Sequence, residues 1–174
     1  MAIYADLGPI DYFRSATSSW RAVGWLGEGH PFRQGEVSGA FFDRLCTLLL
    51  SPWQRFGFLG FHGCDLCPDD LPRGLDGAEI REVLRRRFRE QNTMQVGANE
   101  LLMGCKNLWV PGTGCVYVAP SLIAHYVRAH RYAPPEEFIA AVLRCPDTHS
   151  PEYRAALEPV DAALAAAWTA TMTR

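Results

Sequence analysis

The chain has 174 residues, 48% of them hydrophobic and 21% charged, with a net charge of −2. This apolar content excludes disorder, and at this length folding buries roughly 70% of the unfolded chain's surface, so no disulfide or metal is needed merely to make a core. The charge balance creates no field that would call for a polyanionic partner, and a nucleic-acid partner is not expected.

The opening residues Met1 to Asp6 lack the basic and apolar regions of a secretory signal, and apolar runs such as Leu48 to Leu50 are far too short to span a bilayer. The sequence therefore reads as cytoplasmic, with no membrane partner. In that compartment the six cysteines are expected to be buried, metal-bound or reactive rather than paired as disulfides.

Along the chain, residues 10–34 mix Trp20 and Trp25 with Gly24, Gly27, Gly29 and His30-Pro31, which predicts a short helix followed by irregular chain. Over residues 36–50 the apolar positions Val37, Ala40, Phe41, Leu45, Leu48 and Leu49 have helical spacing, and Ser51-Pro52 ends the run. Phe56 to His62 is apolar on both alternating faces and predicts a buried strand leading into Gly63-Cys64-Asp65-Leu66-Cys67-Pro68. A charged helix is predicted from Gly77 to Gln91, in which Arg81, Arg85, Arg86, Arg87 and Arg89 alternate with Glu79, Glu82 and Glu90 as a solvated face.

Strands are predicted over residues 99–103, 108–110 and 115–118, with a turn at Pro111-Gly112-Thr113-Gly114, as a meander. Pro120 is read as opening a helix that runs through His130, Pro134-Pro135-Glu136-Glu137 as opening another, and Ser150-Pro151-Glu152 a last one nearly to the end. Strands in the middle and helices at the flanks predict an α+β fold, a small central antiparallel sheet or meander in a single metal-binding domain over residues 1–174.

The chemistry concentrates in a few residues. A Cys-x-x-Cys turn, here Cys64-Asp65-Leu66-Cys67, supplies two thiolates at the separation that tetrahedral zinc requires, and Gly63 lets the chain bend toward the ion. His125 and His130 have the spacing of a paired imidazole donor set, and His62 lies next to the turn, so Cys64, Cys67, His125, His130 and His62 are the candidate ligands and zinc the candidate cofactor. On a regular helix His130 falls within the apolar stripe of the 120–130 segment and His125 at its edge, so both reach one ion only if the last turn loosens. Cys46, Cys105, Cys115 and Cys145 lie in or beside apolar segments and are expected to be buried small hydrophobes.

Three uses of such a site follow. A closed sphere of four protein ligands makes the zinc structural and supports a surface for a protein or small-molecule partner. Three ligands and a water make a zinc hydrolase, for which Glu100 is the proton acceptor nominated and Asp65 a lesser choice. A metal-free redox dithiol is opposed by Asp65, Asp69 and Asp70, whose charge disfavours a thiolate. The zinc nucleobase deaminases require His-x-Glu and a proline before their cysteines; there is no His-x-Glu here and Pro68 follows the pair, so that likeness fails. No catalytic residue is assigned from the sequence.

Overall fold

The structure is a computed structural model, and it describes residues 2–11, 13, 17–56, 60–68 and 71–173. Its centre is a three-stranded sheet in the order β1, β5, β4, formed by Trp20–Ala22, Val116–Pro120 and Asn107–Pro111. The strands β4 and β5 form an antiparallel hairpin, with Trp109 opposite Val118, and are buried along almost their whole length because chain packs on both faces. On the other edge of β5, β1 runs parallel, pairing Trp20 with Val116 and Ala22 with Val118. A second, two-stranded sheet joins β2 (Thr93–Val96) to β3 (Asn99–Leu102) antiparallel through a turn at Gly97, whose φ of 59° suits glycine.

Among the described residues six helices surround these sheets. They are α1 (Gly39–Leu50), α2 (Gly77–Asn92), α3 (Ile123–His130), α4 (Glu136–Arg144), α5 (Pro151–Leu157) and α6 (Ala162–Met172). Helix α1 starts where the Ser38 hydroxyl caps the Phe41 amide and buries Phe41, Leu45, Leu48 and Leu49, the stripe predicted from spacing, against α4 and β3. At the aromatic centre of the core Trp20 meets Trp109 edge-to-face at 4.8 Å, with Phe13 against both. The fold is α+β as expected, with the sheet made mixed by β1.

Several local expectations change. No helix forms among the described residues of 10–34. The amides and carbonyls there are used across the sheet edge: Leu7 N–H donates to Ala22 O, Ala22 N–H to Gly8 O, and Trp25 Nε1 to the Val118 carbonyl. Phe56 and Gly60 are bends rather than strand and Phe61 is solvent-exposed; residues 57–59, the middle of the predicted strand, lie outside the described residues. The predicted meander is divided between two sheets, and β2, next to the charged helix, was not foreseen. Pro120 ends β5, and helix α3 begins at Ile123. The last helix is two, because Pro159 interrupts it and Asp161 caps a new start by accepting from Leu164 N–H.

Helix α2 opens with a capping box in which Asp76 accepts from the Ala78 and Glu79 amides and Glu79 accepts from Asp76 N–H. Its side chains are mostly exposed, with Glu82 set between Arg85 at 3.9 Å and Arg89 at 3.5 Å, and Arg86 3.9 Å from Glu90. Arg87 is half-buried and so is the exception to the solvated face. Exposed pairs of this length contribute up to about 1 kcal/mol, so Arg85→Ala and Arg86→Ala should each change stability by no more than about 0.5–1 kcal/mol. Urea unfolding checks this, and a loss of several kcal/mol would show that these arginines are structural.

Candidate metal centre

The chain from His62 to Cys67 is fastened at several points. His62 N–H donates to Gly104 O at 2.9 Å, and the buried Asn92 at the end of α2 donates from Nδ2 to both His62 O and Met103 O. Gln91 Oε1 accepts from Cys64 N–H at 3.2 Å, and Cys67 N–H closes the turn on Cys64 O at 3.3 Å. Beneath it, the fully buried Ser121 accepts from Gly104 N–H at 2.8 Å just before α3 begins. The cysteine turn is thus held to the end of α2 on one side and to the start of α3 on the other.

Gly104 makes this approach feasible. It has a φ of 88°, and a Cβ there would lie 2.4 Å from His62 O and 2.3 Å from Asn92 Nδ2. Gly104→Ala combines a left-handed strain with a backbone clash, and it should cost roughly 2–4 kcal/mol and weaken metal retention. Thermal unfolding with metal analysis tests it; a variant with the parent's stability would show that the loop does not depend on this contact. Gly63 has no such requirement: its φ is not positive, and a Cβ there would meet only the end of Gln91 at 3.2 Å.

The turn brings Cys64 and Cys67 against α3. Cys64 Sγ lies 3.2 Å from His130 Nε2, and Cys67 Sγ lies 3.3 Å from His125 Nε2 and 3.4 Å from His130 Nε2. The four donor atoms all lie within 4.8 Å of one another, a group able to hold a metal ion. A tetrahedral ion with thiolate at about 2.3 Å and imidazole at about 2.0–2.1 Å has donor–donor edges of about 3.3–3.8 Å, and the three sulfur–nitrogen contacts of 3.2, 3.3 and 3.4 Å lie near that range. Both histidines lie within α3, which runs unbroken through His130 and ends there: Arg131 takes a left-handed φ of 55°, and Tyr132 N–H returns to Tyr126 O at 3.1 Å. The expected loosening of the last turn is not seen between the histidines; both Nε2 atoms reach Cys67 Sγ from a continuous helix.

Burial differs from the helical-wheel expectation. His125 is buried and His130 only half-buried, because α3 enters the core with its first residues, Ile123 to Tyr126, and emerges at its end. Burial, helped by the neighbouring His130, pushes the His125 pKa down to about 4, so the ring is neutral at ordinary pH and its Nε2 can serve as a lone-pair donor. Burial is also the largest cause that pushes the Cys64 thiol up to about 12, which opposes a free redox thiolate. His125 Nδ1 and the Tyr126 hydroxyl are buried with no hydrogen-bond partner among the described residues, and burial together with the charges of Cys64, Asp65 and Cys67 raises the Tyr126 pKa.

The remaining candidates fall elsewhere. His62 is exposed, contributes its backbone to the loop, and does not belong to the four-residue cluster. Glu100 is exposed on β3 opposite Gln95, and it does not line the open groove of about 840 Å³ where Glu28, His30, Phe32, Asp65 and Leu66 surround Cys67. Asp69 and Asp70 lie outside the described residues. All the cysteines are free; Cys46, Cys115 and Cys145 are buried as expected, and Cys105 is half-buried. Gln91, Asn92, Gly104 and Ser121 had no sequence signal, since each acts by reaching a backbone group distant in the chain.

The model of one protein family, Domain of unknown function (DUF7919), matches residues 2–143. The chain belongs to that family. The matched segment contains both cysteines and both histidines of the cluster and ends before α5 and α6. No curated protein and no solved structure matches. No helix among the described residues is long and apolar enough to cross a membrane.

Proposed function

We propose that this DUF7919 domain binds one zinc ion in a closed sphere of Cys64, Cys67, His125 and His130, and that the ion is structural. The observation that carries the reading is the convergence of two sulfurs and two ring nitrogens within 4.8 Å. Two thiolates with two imidazoles favour a borderline-soft ion that accepts tetrahedral geometry, which describes zinc better than magnesium, calcium or manganese. With four protein donors no position is left for an activated water, and Glu100 lies away from the groove at Cys67. The ion would clamp the cysteine turn onto the end of α3. Through Gln91 and Asn92 it would also hold the last turn of α2, and so fix a surface for a protein partner.

Metal analysis of protein purified without chelator should give about one zinc per chain, and absorption at the zinc edge should show two sulfur and two nitrogen donors. Protein with native cysteines that carries no metal as purified and takes up no zinc when it is supplied would overturn the reading. A shell in which an exchangeable oxygen replaces one nitrogen would make the site hydrolytic instead.

A further inference from the structure

Helix α2 shows solvent two adjacent rows of side chains. Leu84 and Phe88, one helical turn apart, are 48% and 38% exposed, and Phe61, 48% exposed, meets Phe88 edge-on at 5.2 Å. Arg81, Arg85 and Arg89 follow at the same four-residue spacing, one position further along the chain, and flank the apolar row. Leu84 and Phe88 share an open groove with Arg85, Arg89 and Glu82. Val83, Arg87 and Gln91 form a half-buried side of the helix, and Gln91 reaches Cys64. An amphipathic helix normally turns its apolar residues inward; here a contiguous part of them faces water beside a cationic row.

We propose that this face of α2 docks an amphipathic helical segment of a partner protein, with apolar residues over Leu84, Phe88 and Phe61 and with Asp or Glu side chains on Arg81, Arg85 and Arg89. The inference names the partner of the surface described above and rests on that reading. Charge selects the occupant: α2 has five arginines and three glutamates in a chain of net charge −2, so the cationic row is a local feature that an acidic segment complements. A second copy fits poorly. Laid antiparallel about a two-fold axis, it sets arginine row against arginine row; laid parallel, it sets the row against Val83, Arg87 and Gln91 of the same helix, none of which is acidic. A phosphate backbone would leave the apolar row of Leu84, Phe88 and Phe61 uncovered. An acidic amphipathic helix covers both rows at once.

The test uses the full metal-bound chain against a phage-displayed library of random peptides, followed by fluorescence anisotropy of the selected peptides. Acidic sequences with apolar residues at three- and four-residue spacing should be enriched. The double variant Leu84→Glu, Phe88→Glu should weaken their binding by about tenfold or more while keeping the parent's metal content. The double variant Arg85→Glu, Arg89→Glu should also lose them and should accept a peptide whose glutamates are replaced by lysine, a charge-swap rescue that a merely destabilised helix would not show. Failure to enrich acidic amphipathic peptides, or enriched peptides indifferent to both variants, would overturn the proposal. So would arginine-dependent binding to single-stranded oligonucleotides or phosphatidylserine vesicles in place of peptide. Protein that lacks zinc yet binds such peptides through α2 would remove the metal reading alone; zinc-loaded protein without α2-dependent binding would remove this one alone.

Discussion

Serine in place of Cys64 or Cys67 should release the metal and lower stability by roughly 3–5 kcal/mol, a fall in melting temperature on the order of 10 °C for a chain of this length. Each thiol contacts His130 Nε2, and Cys67 also contacts His125, so losing one donor leaves the others without a complete shell. The site joins segments far apart in sequence, and ligand binding that exists only in the folded state adds directly to its stability. Complete unfolding is not expected, because the core around Trp20, Trp109, Phe41 and Leu45 is formed without the site. Metal analysis with thermal unfolding of both variants decides the point. Parent metal content and parent melting temperature in both would remove these cysteines from the shell.

Asp161→Ala should cost about 2–4 kcal/mol, although residue 161 lies beyond the segment that the family model matches. One carboxylate oxygen accepts from Trp20 Nε1 at 2.7 Å and from the Thr17 hydroxyl at 3.1 Å, and the other caps α6 by accepting from Leu164 N–H at 2.9 Å. Alanine leaves the buried indole N–H unpaired and removes the cap together. Asp161→Asn keeps an acceptor on the amide and should recover part of the loss. The midpoint of urea unfolding is the readout, and an effect no larger than that of an exposed substitution would show that Asp161 does not tie α6 to β1. The tie matters for the domain's extent: Tyr153 of α5 likewise donates to the Trp109 carbonyl at 2.7 Å, so the C-terminal helices complete the core of this chain.

What could be read from the residues themselves was local or chemical. Helix α1 followed from apolar spacing ended by Ser51-Pro52, α2 from its interspersed Arg and Glu residues, α4 from its first-turn prolines and acids, and the Cys-x-x-Cys with two later histidines pointed to a metal from donor chemistry alone. These features are determined by neighbours within a few positions or by the donor chemistry of the side chains. Whether His62, His125 or His130 joined the cysteines was decided only in three dimensions. Where α3 stops, how Arg131 turns and what Gly104 permits beside His62 depend on contacts between distant segments. The same holds for β1, a strand of three residues with too little periodicity to recognise, which exists because β5 offers it a free edge. Sequence thus determined most of the helices and the candidate donors, while tertiary structure decided which donors cluster and how the sheet pairs, because backbone pairing and side-chain convergence are made by residues that no local pattern connects.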